Sequence, residues 1–373
     1  MTVPLSILDL SPISAGSDAA TALRNTIDLA QHAERWGFKR YWVAEHHSVA
    51  VASSQPAVLI GQIAAATERI RVGAAAVQLG FTTAIAATEG FGTLEALHPG
   101  RIDLGVGRSG QRRRDAQQGT ERTAPPEPTA EARWGDRDGV VIPPAFDVGA
   151  LMRNPRLRAR TSVLQQPDAV APDFDRQVDD ILQLVNGRHH VDGVPVRAVP
   201  GEGSGLTPWI FGSSRGQSAQ VAGARGLPFV ASYHITPATA LDAVDAYRAA
   251  FRPSAMLAEP YVVVSADVVV ADDSATAHHL ASSYGHWVYS IRAGDGAAPY
   301  PDPDAVVPLS EPQLDVVRDR IATQFVGDAE EVADKLQTLQ RATAADELVI
   351  TSVCHRHVDR LRSHELIAKR WGL

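Results

Sequence analysis

A single cysteine, Cys354, stands among 373 residues. That excludes a disulfide framework and a cysteine-based metal site, and it fits a reducing, cytoplasmic setting. No stretch reaches the roughly 18 consecutive apolar residues of a membrane-spanning helix. The opening MTVPLSILDL has neither a basic n-region nor a long apolar run, so no signal peptide is expected. Positive charge is also in short supply. The chain carries 35 basic and 43 acidic residues, a net charge of −8, which argues against a nucleic-acid partner. The expectation is a soluble cytoplasmic protein with neither membrane nor nucleic acid as partner.

What is present is apolar and evenly paced. Hydrophobic residues make up 45% of the chain, and α/β barrels of this length fold as one domain, so residues 1–373 are expected to form one. The stretch Lys39 to Ser48, KRYWVAEHHS, organises the rest. Tyr41, Trp42, Val43 and Ala44 are apolar in succession, as in a strand buried on both faces. The strand then turns polar at Glu45, His46 and His47. In α/β folds that end of a strand is the active-site rim.

Three more strands accompany it: Val3 to Leu10, Ile70 to Gln78 and Arg101 to Gly107. Helices fall between them, from an Asp18 cap to Gly37, from Gln55 to Arg69 and from Ala84 to Leu97. This is the rhythm of parallel βα units. It breaks between Arg108 and Pro172, a polar stretch rich in Pro, Arg and Gln with a local surplus of positive charge. A long loop leaving a strand's carboxyl end is expected to be a lid. Order resumes with a helix from Phe174 to Val185. Strands follow at Pro208 to Gly212, Leu227 to Ser232, Tyr261 to Ala271 and Glu347 to Ser352. Helices are expected over Thr236 to Phe251, Asp272 to Ile291, Glu330 to Thr343 and Val358 to Trp371, with a rim loop from Pro299 to Pro312. Eight strands make a (β/α)8 TIM barrel with a long insertion after strand four.

Several residues are of types that carry chemistry. Successive strand residues point to opposite faces, so Glu45, His46 and His47 do not chelate one metal together. A histidine there serves as acid or base near neutral pH, with Glu45 bonded to a ligand or orienting a ring. Gly105-Val106-Gly107-Arg108-Ser109-Gly110 matches the spacing of a dinucleotide fingerprint. That fingerprint must open a helix, and this one opens onto Arg112, Arg113 and Arg114, most simply a solvated loop. What survives is Arg108 at a strand's end, placed to meet an anion. Gly212-Ser213-Ser214, with Ser218 a turn later, resembles a phosphate site at a helix N-terminus. Ala74, Ala75 and Ala76 admit a flat ligand close to the backbone, or a crowding helix. Trp287 in Gly285-His286-Trp287 is core or a ring-stacking wall. Cys354 reads as a small buried hydrophobe.

The segments VAEHH, IRVGAAAVQL, TLEALHPGRIDLGVGR, GSS followed by ARGLP, and GHW together resemble the bacterial luciferase-like flavin monooxygenases. The resemblance covers the chain except the Arg108 to Pro172 insertion. It implies a TIM barrel that takes reduced FMN from a separate flavin reductase and uses O2, through a flavin peroxide, to oxygenate a small organic substrate. It places Glu45 and His46 at the flavin and catalytic-base positions. Ala75-Ala76 falls where the family has a non-proline cis peptide under the flavin ring. Arg108, Ser213, Ser214 and Ser218 fall at phosphate and ribityl contacts, Ser232 near the ring edge and Trp287 beside the ring. It also implies a homodimer packed through the early helices, which are rich in alanine (Ala64, Ala65, Ala66, Ala86, Ala87). The chain departs from the family's pattern at Leu79-Gly80-Phe81-Thr82-Thr83 and in the insertion, where substrate belongs. Two alternatives stay open: an oxidoreductase using a deazaflavin coenzyme on the same barrel, and a non-catalytic flavin-binding protein.

Overall fold

The computed structural model describes residues 2–108, 134–147, 151, 154–166, 169–294 and 296–373. Eight parallel strands close a barrel: β1 (Leu5–Asp9), β2 (Arg40–Val43), β3 (Arg71–Ala74), β4 (Ile102–Gly107), β5 (Pro208–Gly212), β6 (Phe229–Ala231), β7 (Val262–Val270) and β8 (Glu347–Thr351). Each pairs with the next in parallel, and β8 returns to β1 with Leu5 opposite Leu348. The expected TIM barrel, with an insertion after strand four, is the observed fold.

Strand alternation sorts the side chains. On β2, Tyr41 and Val43 point outward into the apolar layer beneath the helices. Trp42 points inward with Leu8, Trp209, Val230, Val263 and Val349. Below them, Arg40 reaches Asp103 at 2.6 Å and Glu347 at 3.2 Å. Above them, Trp42 meets Trp209 and Phe211 edge-on, each at 5.4 Å. The rings fit because Gly105 has no side chain: a Cβ there would collide with the Ala74 carbonyl and the Phe211 ring. The first glycine of the apparent dinucleotide fingerprint is therefore a packing glycine. Ser109, Gly110 and the Arg112 to Arg114 run lie outside the described residues.

Several boundaries differ from those expected. Strand three is broken: β3 ends at Ala74, a cis peptide joins Ala75 to Ala76, and a short strand Val77–Gln78 resumes beside Val106 and Gly107. The helix expected from Asp272 to Ile291 is two, Ser274–Ala281 and Tyr284–Arg292. The helix expected from Thr236 starts at Ala240, and Thr236 and Thr239 instead donate to the Ser213 carbonyl. The insertion is not featureless. It holds an antiparallel hairpin, Gly135–Arg137 with Val140–Ile142, and a helix, Pro155–Ser162. A strand at Phe325–Gly327 and a helix at Glu311–Ala322 went unread in the sequence. Cys354 is buried, as expected of a small hydrophobe.

Replacing Gly105 with Ala should destabilise the barrel by about 3 kcal/mol, the upper range for overpacking a filled core. Urea unfolding measures it; an unchanged midpoint would show that the ring layer has slack.

Candidate active site

The carboxyl ends of the strands open onto a cavity of about 500 Å³. Its floor is the aromatic and aliphatic layer of the barrel, with Trp42, Phe211, Val230 and Val349 at the surface. Beyond Val43 the chain leaves the sheet. The His46 amide donates to the Ser53 carbonyl at 2.9 Å, and the Ser53 hydroxyl donates to the Ala44 carbonyl. This bend carries Glu45, His46 and His47 onto the cavity wall.

Glu45 is fully committed. Its Oε1 accepts from His47 Nε2 at 2.8 Å, and its Oε2 accepts from the Gln78 amide at 3.1 Å. The Gln78 side chain donates back to the Glu45 carbonyl at 2.7 Å. The carboxylate thus braces the end of β2 against the strand after the Ala75–Ala76 bond, and it orients the His47 ring rather than that of His46.

His46 opens much of its surface to the cavity, but the cavity is walled by the barrel mouth, so the imidazole sees protein more than bulk water. That desolvation, with His47 as the second cause, lowers its pKa from 6.5 to about 4. It is neutral at pH 7. A second histidine, which sequence reasoning missed, joins it. His234 follows β6 by three residues, and its Nδ1 lies 2.5 Å from the Ser265 hydroxyl. Burial first, then Arg320 and His46, push it down to about 3. The signal available was its place two residues beyond Ser232, at the end of a barrel strand.

At another edge the cavity is built for an anion. The helix Gln217–Ala224 starts from Gly216 with no side-chain cap, so its first amides are open. A Cβ on Gly216 would stand 3.2 Å from Ser214 Oγ and 3.9 Å from Arg108 Nη1, so a hydroxyl and a guanidinium flank those amides. Ser218, in the first turn, is buried and lines the cavity. A guanidinium, a hydroxyl and a helix N-terminus are the donor set that holds phosphate. The helix was expected to open at Ser213 and Ser214. It opens three residues later, and neither serine lines the cavity, whereas Ser218 does.

Ala75, Ala76 and Gly107 leave flat space on one wall, Ser232 lines another side, and Trp287 supplies an aromatic edge packed on Tyr300 at 6.0 Å. Apolar floor, small wall, aromatic edge and anion corner together fit a planar heterocycle carrying a phosphate. Among the described residues no cluster of His, Cys, Asp or Glu could hold a metal ion.

The outer side of the cavity comes from the insertion. Leu151, Leu157, Arg158, Thr161 and Leu164 line it. Gln165 donates to the Gly80 carbonyl at 2.5 Å, Arg292 stacks on Phe146 at 4.0 Å, and Tyr233 donates to the Val141 carbonyl at 2.8 Å. The insertion is thereby tied down on three sides of the rim.

Residues 3–133 and 181–346 match the sequence model of the luciferase-like monooxygenases. The chain belongs to this family. Membership implies an oxidoreductase. Uncharacterized protein YvbT of Bacillus subtilis is 37% identical over 98% of this chain and 96% of its own length. A luciferase-like monooxygenase of Escherichia coli K12 is 34% identical over 98% and 96%. The solved structure of apo-MsnO8 superposes with a TM-score of 0.74 at 28% identity, covering 100% of this chain and 98% of that one. More distant solved structures share the fold. They include the oxygenating constituent of 3,6-diketocamphane monooxygenase from Pseudomonas putida, in complex with FMN (TM-score 0.63, 18% identity, 99% and 97% covered), and an F420-dependent secondary alcohol dehydrogenase with an F420-acetone adduct (0.60, 14%, 100% and 99%). The family match stops over 134–180, which includes every insertion residue named on the cavity wall.

The two cavity histidines carry a stability signature. Unfolded, His234 takes a proton near its ordinary 6.5; folded, it resists down to about 3. As pH falls below 6.5 the unfolded chain is favoured, by about 1.4 kcal/mol per pH unit for one proton. His234→Asn keeps a donor near the Nδ1 place and removes the titration. Its unfolding free energy should therefore fall less steeply between pH 6 and 4, by about that slope. Urea unfolding at several pH values measures the difference, and parallel curves would mean that His234 titrates normally.

Proposed function

We propose that this luciferase-like protein is a flavin-dependent monooxygenase that uses reduced FMN and O2 to oxygenate a small organic substrate. The observation that carries the reading is the anion corner: Arg108 and Ser214 flank uncapped helix amides at the edge of an otherwise apolar, flat-walled cavity. A relative solved with FMN and another solved with F420, both on this fold, agree with a flavin-type cofactor.

In this reading Arg108, Ser214 and Ser218 hold the phosphate, and Ser213 borders the ribityl side. Ala75, Ala76 and Trp287 flank the ring, with Ser232 at its edge. Reduced FMN, when bound, supplies the electrons that activate O2. The protein's part is placement, dryness and proton control. His46 is neutral because it is desolvated, so an unprotonated ring nitrogen accepts a proton from substrate or intermediate. Glu45 keeps His47 and the Gln78 strand in place. The insertion acts as a lid: Leu151, Leu157 and Leu164 keep water from the reacting atoms. The enzyme is two-component, with reduced FMN delivered by a separate flavin reductase. It works in the cytoplasm as a homodimer packed through the helices Pro56–Ala66 and Ala84–Leu97, where Val58 and Leu97 stand 68% and 69% exposed.

The test is an anaerobic titration with reduced FMN, followed by mixing with oxygenated buffer while flavin absorbance is recorded. Binding with slowed, protein-dependent reoxidation supports the reading. Preference for coenzyme F420 over FMN would replace it with a deazaflavin oxidoreductase, and binding with reoxidation as fast as free flavin would leave a passive carrier. Arg108→Ala should weaken FMN binding about ten- to a hundredfold, the worth of a charge-assisted hydrogen bond. Its urea midpoint should stay within error of the parent's. Unchanged affinity would remove Arg108 from the site.

A further inference from the structure

Three inward-facing rings form a line through the barrel. Trp42 lies at the cavity floor. Its ring stands 5.4 Å from that of Trp209, and Trp209 stands 5.7 Å from Tyr261. Tyr261 immediately precedes β7, so the line runs from the cavity to the amino end of the barrel. There it meets solvent. Tyr261 is half-buried, and its hydroxyl donates to Glu347 Oε2 at 2.8 Å and accepts from Lys39 Nζ at 3.1 Å.

Filling the barrel does not account for these residue types. Trp42 is 1% exposed, and its Nε1 has no hydrogen-bond partner among the described residues. A buried indole N–H without an acceptor costs free energy that an apolar ring of similar size would not. It suits an electron carrier. An oxidised indole that cannot shed its proton remains a radical cation and draws an electron from its neighbour. Trp209 is that neighbour. The Arg40 guanidinium packs on its ring at 4.4 Å but is itself matched by Asp103 and Glu347, so the ring faces no uncompensated positive charge. Tyr261 differs from both indoles in having a carboxylate on its hydroxyl. A phenol gives up an electron readily when its proton has an acceptor, and Glu347 is in place to take it. The other aromatic branch from the cavity, Trp287 to Tyr300, lacks this feature: the Tyr300 hydroxyl is buried with no partner among the described residues.

We propose that Trp42, Trp209 and Tyr261 are a one-electron relay that carries an oxidising equivalent from the cavity floor to the amino-end surface of the barrel. A one-electron oxidant in the cavity takes an electron from Trp42. Trp209 refills Trp42, and Tyr261 refills Trp209 while passing its hydroxyl proton to Glu347. A thiolate or ascorbate in solvent then returns one electron to Tyr261, and Glu347 returns the proton. The relay keeps stray oxidation away from His46 and His234. The inference builds on the flavin reading, because flavin chemistry with O2 is the source of such oxidants.

The experiment uses the protein in excess over oxidised FMN, without oxygen. Blue light makes the bound flavin a one-electron oxidant, and the spin trap 2-methyl-2-nitrosopropane captures the radical that forms. Peptide mass spectrometry should place the adduct on Tyr261, and electron paramagnetic resonance should show a tyrosyl signal that ascorbate shortens. Trp209→Phe should abolish the Tyr261 adduct while FMN affinity holds. Tyr261→Phe should leave a tryptophan radical in place of the tyrosyl one. Adducts that spare Tyr261 in the parent overturn the proposal, as does an undiminished Tyr261 adduct in Trp209→Phe. Tyr261→Phe takes a bond from a buried carboxylate; if it fails to fold, the adduct position in the parent and in Trp209→Phe decides. If the protein binds no FMN, the flavin reading falls, and azide radicals made by pulse radiolysis serve as the oxidant. Tryptophan-to-tyrosine transfer that is lost in Trp209→Phe then sustains the relay, and transfer unchanged in that variant overturns it.

Discussion

A charged guanidinium inside a barrel is costly unless it is held on every side. Arg40 is that group here. It is buried, bonded to Asp103 on β4 and Glu347 on β8, and stacked beneath Trp209 at 4.4 Å. Glu347 is tied in turn to Ser6 on β1 at 2.5 Å and to Tyr261 at 2.8 Å. Four strands and the residue before a fifth thus share one ionic knot at the amino end of the barrel. Truncating one partner would leave an uncompensated buried charge, a loss of about 3–5 kcal/mol. Such a knot tolerates one register. Sliding any strand by a residue would turn its polar member outward and drive a neighbour in.

Everything above the knot inherits that register. Trp42, two residues beyond Arg40, points inward for the same reason Arg40 does, and it meets Trp209 and Phe211 in the next layer. Two residues further, Ala44 reaches the cavity wall, and the chain has left the sheet by Glu45. The site residues stand where they do because the floor is filled to their level. The rim also carries groups of different charge. It holds two histidines kept neutral by desolvation, and Arg108 stands beside the uncapped helix. A neutral imidazole can take a proton without competing with Arg108 for an anion.

The barrel was legible because its strands are buried on both faces and read as unbroken apolar runs. The cis peptide position was legible only through the family resemblance, since Ala75 and Ala76 look like any small pair. Arg108 and the Glu45–His46 pair were placed on the cavity by strand-end position, Ser218 by its place a turn after Ser213-Ser214, and Ser232 and Trp287 only through the family resemblance. What failed has local causes. Ser213 and Ser214 look like a cap, but Thr236 and Thr239 claim the Ser213 carbonyl and the helix starts after a glycine. The helix Glu311–Ala322 buries only Val317 and Arg320, so it shows no apolar stripe. His234 is a single polar residue after a short strand, and its partner Ser265 lies 31 positions away. No pattern within a window links them.

The insertion divides the molecule's work. The family match covers seven of the eight barrel strands and the anion corner and lapses over 134–180. In that lapse lie the residues that close the cavity from outside. The knot beneath the barrel cannot move without unfolding it, so nothing near the floor is free to retune for a new ligand. The insertion is bound to the rim by contacts such as Gln165 to Gly80 and Phe146 to Arg292. Such contacts can be exchanged without disturbing strand register. Selectivity is cheapest to alter where residues line the site but carry none of the fold, and Leu157, Arg158 and Leu164 meet both conditions.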